Sequence, residues 1–378
     1  MTRIKAAALR LAMTALVLAL GAAPAFAQDV PHVDEREDPG LFEKLRLSGE
    51  EWFLVPVLLY SPETGFGGGA TWMYVMRDRE EDPRPSSIQV LGIYTAENQF
   101  NAALRPRLYL MDDALLLDAR ASFSNFSLKY WGVGNRAPDI LEEDYQSSRA
   151  KFSLAASYRV WKELRVGAGY EFFRSHLEEF LPGGLIATGL APGAPDAIVS
   201  GLGPSVTWDS RDHPFASESG GYYHYESIFY EGAFGSDADY VAHRFDLRRF
   251  FTPAKNHTIG VQLLAQFIDG DPPFESFSQL GGRKMLRGIF SGRYRDRHMI
   301  AGQLEYRFPI WWFIGGAAFG AAGQVTHEVD RFEWDHIRWA AGGGLRFKVD
   351  RKNRINLRLD FAGSDGEFAV YFDVGEAF

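Results

Sequence analysis

Cysteine is absent from the 378 residues, which excludes disulfides, thiolate metal sites and a cysteine nucleophile. Long apolar runs are missing beyond the first 27 residues. The densest, Phe53 to Tyr60, is short and interrupted by Pro56, well below the ~18–20 residues of a bilayer-spanning helix. An inner-membrane helical protein is excluded. Positive charge is in deficit: 40 Lys and Arg face 49 Asp and Glu, a formal net charge of −9, which argues against a nucleic-acid binder. The nine His are scattered without H-E-x-x-H or close ligand spacing, so no metal site is expected. No G-x-S-x-G nucleophile elbow occurs. Gly67-Gly68-Gly69 and Gly342-Gly343-Gly344 fall inside strand patterns and read as close packing, not as phosphate loops. No cofactor is expected. Repeats of ~20–50 residues are not evident, which argues against a propeller or solenoid.

What is present points to a β protein. Hydrophobic residues make up 46% and charged residues 24%, which excludes disorder as a whole-chain reading. Aromatics reach 15% and glycine contributes 39 residues, a balance suited to many strands joined by turns. The first residues carry a basic start (Arg3, Lys5, Arg10), an apolar run from Leu11 through Ala23, and the small-x-small sequence Ala25-Phe26-Ala27. This predicts an export signal over residues 1–27, cleaved before Gln28. Residues 28–49 are polar, with Pro31, Pro39 and Gly40, and read as a short irregular periplasmic lead-in.

From about residue 50 to Phe378 the pattern is strand, turn, strand. Phe152, Leu154, Ala156, Tyr158 and Val160 alternate with Lys151, Ser153, Ser157 and Arg159. Leu304, Tyr306 and Phe308 alternate with Gln303, Glu305 and Arg307, and Ile355, Leu357, Leu359 and Phe361 with Asn356, Arg358 and Asp360. Period two gives each strand one apolar and one polar face. A soluble sandwich turns the apolar face to a core, whereas a membrane barrel turns it to lipid and the polar face to a wet lumen. The strands trace to ~10–14 residues, which suits the ~9–11 of a tilted membrane strand better than the ~5–6 of soluble sheets. Aromatics gather near strand ends, at Trp311-Trp312 and Tyr222-Tyr223, as in an interfacial girdle. The expected fold is all-β, an antiparallel transmembrane β-barrel over residues 50–378. The segments count to sixteen strands, with long interruptions at residues 177–197 and 269–297.

The second interruption carries the most specific text: Gln279-Leu280-Gly281-Gly282-Arg283-Lys284-Met285-Leu286-Arg287-Gly288-Ile289-Phe290, leading into Gln303-Leu304-Glu305-Tyr306-Arg307-Phe308-Pro309. It falls between the eleventh and twelfth strands of the count. Tyr60-Ser61-Pro62-Glu63-Thr64-Gly65-Phe66-Gly67, Tyr130-Trp131-Gly132-Val133-Gly134-Asn135, and Asp209-Ser210-Arg211-Asp212-His213-Pro214 followed by Gly220-Gly221-Tyr222-Tyr223 are three further fragments. Together they resemble, in order, the BamA/TamA-like outer-membrane superfamily, the bacterial surface antigen family, across essentially residues 50–378. The resemblance implies that the long loop folds back into the lumen on a V/L-R-G-F/Y tip. Leu286, Arg287 and Gly288 match that tip, and Ile289 stands where an aromatic is usual.

The resemblance also implies carboxylate partners for the tip arginine, a Glu on the twelfth strand and an Asp on the thirteenth. Glu305 matches the first; Ala321 stands where the second should be, and Asp360 is the candidate substitute. Asp209, Arg211 and Asp212 match the family's hairpin motif, for which turn-forming hydrogen bonds are the expected role. The segment Phe368, Val370, Phe372, Val374 closing on Phe378 looks like the C-terminal signature of outer-membrane barrels, although Glu376 breaks its alternation.

Only about twenty residues separate the signal from the first strand, too few for a periplasmic POTRA domain, so a barrel-only member is expected. The implied function is membrane protein or lipid insertion or transport in the bacterial outer membrane, without enzyme activity. The implied partners are outer-membrane lipid, client outer-membrane proteins and, during biogenesis, the barrel assembly machinery. The rival readings are a passive or plugged pore, with cations such as Arg105, Arg107, Arg120, Arg346 and Arg358 in its lumen, and an outer-membrane lipid hydrolase.

Overall fold

A computed structural model describes residues 47–48, 52–61, 65–76, 85–350, 354–364 and 367–378. The expected export signal and nearly all of the lead-in lie outside the described residues. No helix among the described residues is long and apolar enough to cross a membrane.

Among the described residues there are sixteen strands of eight residues or longer. They are β1 Trp52–Ser61, β2 Gly65–Met76, β3 Ser86–Thr95, β4 Phe100–Leu110, β5 Leu115–Tyr130, β6 Glu143–Trp161, β7 Leu164–Glu178 and β8 Asp196–Asp209. Then follow β9 Gly220–Tyr230, β10 Tyr240–Ala254, β11 His257–Gly270, β12 His298–Trp311, β13 Ile314–Thr326, β14 Arg338–Asp350, β15 Ile355–Ser364 and β16 Glu367–Val374. Each pairs antiparallel with the next in one large sheet. Among the described residues, β16 also touches β1, more sparsely than any two consecutive strands touch. Strand β6 begins at Glu143, earlier than its apolar alternation suggests, because its polar first residues are paired with Ser127–Tyr130 at the end of β5.

The two faces of the sheet differ as the alternation requires. Leu104, Phe123, Leu154, Tyr158, Val160, Val166, Leu202, Val206 and Leu304 are exposed on strands spread from β4 to β12. So many large exposed apolar side chains would be an aggregation hazard in water and are the expected dress of a lipid-facing surface. The opposite, inner face carries buried Arg165, Gln262, Gln303, Glu305, Arg346, Arg358 and Asp360.

The last strand corrects one expectation. Strand β16 stops at Val374, and Gly375 adopts φ 85°, a left-handed turn that a side chain would strain. The remaining residues leave the sheet and turn to its inner face, where Phe378 is buried with Phe250 of β10. Phe378 therefore does not end the strand as an outward aromatic. The alternation breaks at Glu376 because that carboxylate is needed inside.

Candidate functional site

The β11–β12 connection lies against the inner face of the sheet. Its neck is a small ribbon in which Ser278–Leu280 pairs with Tyr294–Asp296. Leu280, Leu286 and Ile289 are buried with Ala301 of β12, Val325 of β13 and Ala340 of β14, and the Gln303 amide donates to the Lys284 carbonyl at 3.0 Å. Ala321 packs against this apolar cluster. The position expected to carry a carboxylate thus serves the loop's hydrophobic footing instead.

At the tip, Gly288 takes φ 111°. A Cβ there would stand 3.0 Å from the Gly363 carbonyl carbon of β15, so glycine is what lets the backbone reach the wall. Its N–H donates to the Tyr371 hydroxyl of β16 at 3.2 Å. Arg287 beside it donates from Nη1 to Asp360 Oδ2 and from Nη2 to Glu305 Oε2, each at 2.6 Å. Its guanidinium carbon sits 3.4 Å from the centre of the Phe319 ring of β13, a cation–π contact. The arginine and both carboxylates are essentially shut off from solvent, with side-chain exposure of 1% or less. One guanidinium therefore bridges β12 and β15 across the two strands between them.

Buried charges persist only when paired and hydrogen-bonded, and here the compensation extends outward. Arg307 donates to Glu305 Oε1 at 2.8 Å. Arg346 reaches Asp360 Oδ1 at 2.6 Å, Glu305 Oε1 at 3.3 Å and Glu376 Oε2 at 2.8 Å. Arg358 contacts Asp360 at 3.4 Å and Asp373 at 3.2 Å. Four guanidiniums thus meet four carboxylates. The turned-in tail closes the group: Glu376 accepts from Asn356 at 2.7 Å, Arg307 donates to the Phe378 carbonyl at 3.2 Å, and the Phe378 ring stacks 5.9 Å from that of Phe250.

The remaining motif fragments serve as fasteners. Tyr130 packs on Phe274 of the loop with ring centres 4.8 Å apart, and Trp131 meets Phe290 edge-on at 5.4 Å. The Gly134 N–H donates to the Arg295 carbonyl at 2.8 Å. At the β8–β9 hairpin, Arg211 grips Asp209 through two bonds of 2.8 and 2.9 Å, while Asp212 accepts the N–H groups of Glu218 and Ser219 at 2.9 and 3.0 Å and is paired with Arg354. These three residues shape a turn whose Ser217 carbonyl accepts from Arg307 of the cluster at 3.4 Å.

The structure brings Leu286, Arg287, Gly288, Glu305 and Asp360 together. Sequence reasoning left out Phe319, Tyr371 and the compensating roles of Arg346 and Glu376. Inner-face parity marks Arg346, but the inward turn at Gly375 that delivers Glu376 has only a glycine as its signal. The cluster is a lock, with no nucleophile–base pair in it. No group of three or more His, Asp or Glu among the described residues could hold a metal.

An antiparallel sheet of long strands, apolar outside, with a loop arginine locked to its polar inner wall, defines the class of outer-membrane β-barrels with an in-folded loop. More narrowly, the chain belongs to the Omp85 superfamily, whose domain matches residues 88–378. No curated protein matches the sequence. Its fold is similar to that of BamA from Haemophilus ducreyi lacking POTRA domains 1–3, at 13% identity and TM-score 0.56, covering 86% of this chain and 70% of that one. It is also similar to CdiB from Escherichia coli (13% identity, TM-score 0.57, 87% and 63% covered) and to CdiB from Acinetobacter baumannii (12%, 0.55, 87% and 60%). The chain spans less than two thirds of either CdiB.

Proposed function

We propose that the chain is a sixteen-stranded barrel of the bacterial outer membrane, closed between β16 and β1, which assists the insertion or passage of protein or lipid and performs no catalysis. The observation that carries this reading is the buried bridge from Arg287 to Glu305 and Asp360. It stiffens the β12–β15 wall from inside and leaves the sparsely touching β1–β16 junction as the part free to part. Opening there bares two strand edges, which template an incoming strand by backbone pairing. Pro56 on β1 supports the reading, since it has no N–H to give and weakens that edge. Family membership and the resemblance to insertion and translocation factors support it too. Outer-membrane lipid and client outer-membrane proteins are then its partners, and the barrel assembly machinery handles the chain during its own biogenesis. The test is depletion of the protein followed by an inventory of outer-membrane proteins and lipids. Selective loss or misplacement of particular components is expected, and an unchanged inventory overturns the role.

The rival is a plugged pore, favoured by the cations on the inner face. Single-channel recording separates the two: large, steady steps mark a pore, and small, erratic ones a barrel whose bore the loop fills.

A further inference from the structure

A cavity of about 460 Å³ lies away from the Arg287 cluster, between the inner face of β5 to β11 and the neck of the in-folded loop. Its charges are unequally matched. Glu171 accepts from Arg244 at 2.7 and 3.1 Å and from the Tyr230 hydroxyl. Glu275, on the loop, accepts from Arg149 Nε at 2.8 Å and from Ser147 at 3.0 Å. Glu275 is thus matched by Arg149, whereas Arg244 is shared between Glu171 and Glu226, the latter at 3.0 Å. Arg120 and Lys151 also line it, are exposed to it, and pair with no carboxylate among the described residues. The cavity therefore carries surplus positive charge.

The register shows why these two cations act together. Arg120 of β5 stands opposite Ser153 of β6, and Lys151 is two residues from Ser153 on the same face. Such diagonal neighbours lie ~7–8 Å apart at the backbone, within joint reach of long side chains. A guanidinium, a hydroxyl and an ammonium thus line one stretch of the cavity wall, with the Lys151 ammonium 5.0 Å from the centre of the Phe173 ring. Three donors, two of them cationic, match the several acceptor oxygens of a phosphate better than the two of a carboxylate. The rest of the wall is aromatic: Tyr230 stacks on Tyr240 with ring centres 4.3 Å apart, Phe277 comes from the loop, and Phe173 stands directly opposite Lys151 on the neighbouring strand.

We propose that this cavity binds a phosphate-bearing anion, its phosphate held by Arg120, Lys151 and Ser153 and its body laid against Phe173, Tyr230, Tyr240 and Phe277. A ligand there touches both the β5–β7 wall and the loop neck at Ser276–Gln279, so its occupancy tethers the loop at a second place. The site asks nothing of the β1–β16 junction and stands whether or not the chain assists insertion.

The phosphate can belong to a soluble ester or to a lipid headgroup, and the test separates them. The full chain is placed in phosphatidylcholine nanodiscs and titrated calorimetrically with glycerol 3-phosphate. A second preparation containing phosphatidylglycerol is examined by native mass spectrometry for retained lipid. Saturable binding of the first probe, weakened about tenfold or more (~1.4 kcal/mol) in the double variant Arg120→Gln, Lys151→Gln, supports a soluble phosphoester. A phosphatidylglycerol adduct lost in that variant supports a headgroup. The exchange Arg120→Lys with Lys151→Arg keeps binding. Should the glutamine variant fail to fold, acylation of Lys151 in the unaltered protein decides: the bound probe must slow it. Absence of saturable binding by both probes, equal binding to the folded glutamine variant, or no protection of Lys151 overturns the site.

Discussion

Replacing Arg287 by alanine removes the loop guanidinium that bonds Glu305 and Asp360 at 2.6 Å each, and leaves Arg346 of the wall as a cation in reach of both. Breaking a buried ion pair costs ~3–5 kcal/mol when the surviving charge is stranded. Here neither survivor is alone, because Glu305 keeps Arg307 at 2.8 Å and Asp360 keeps Arg346 at 2.6 Å. The electrostatic loss therefore sits at about 3 kcal/mol, the low end of that range, and loss of the contact with Phe319 adds ~0.5–2 kcal/mol. Urea unfolding in lipid vesicles measures the sum, and trypsin cleavage at Arg283 or Lys284 reports release of the loop. Arg287→Lys keeps the charge but cannot span two carboxylates with one planar fork, so it recovers less than half the loss. In a double-mutant cycle, Glu305→Ala on the Arg287→Ala background costs less than it does alone, with a coupling of ~1 kcal/mol or more. Additivity within ~0.5 kcal/mol, together with an unaltered tryptic pattern, refutes the bridge.

Gly288→Ala forces a side chain into the left-handed turn against Gly363 and is expected to cost ~1–3 kcal/mol, seen as faster proteolysis of the loop. Phe378→Ala empties the packing beside Phe250 and loses ~3 kcal/mol, lowering the urea midpoint. At the β8–β9 hairpin, partial burial opposes ionisation of Asp212, but the Ser219 N–H, Arg354 and the Glu218 N–H outweigh it and hold its carboxyl below the ordinary value. Its contribution is therefore complete above pH ~4 and is lost as pH falls through the lower folded value. Asp212→Asn should flatten the acid limb of a stability-versus-pH curve, and an unchanged limb would count against this account.

The strands were legible because a two-residue period survives in most of them, though not in the Gly- and Ala-rich β13, and the loop because Arg287-Gly288 and Glu305 sit in recognisable text. Asp360 was visible as a polar residue at inner-face parity, yet its closeness to Arg287 depends on three intervening ladders that no local pattern encodes. Phe378 was misplaced for a related reason. An alternating Phe-Val series predicts continued strand, and only the left-handed Gly375 ends it. The partners of Arg346 were hidden because Glu376 looks, in sequence, like a blemish in a lipid-facing face.

The Arg287–Asp360 and Gly288–Tyr371 bonds join residues 73 and 83 positions apart, whereas most ladders of the sheet grow from a short connection between consecutive strands. Ladders between consecutive strands close small loops, and distant contacts pay loop entropy before they return any energy. Docking of the tip is therefore a late step, possible only after β12 to β16 stand side by side. Until then the guanidinium keeps its hydration and the inner wall stays wet. Pulsed hydrogen exchange should find the Gly288 amide protected after the ladder amides of β12–β15. The loop then marks the end of folding, sealing a sheet that had already chosen its order.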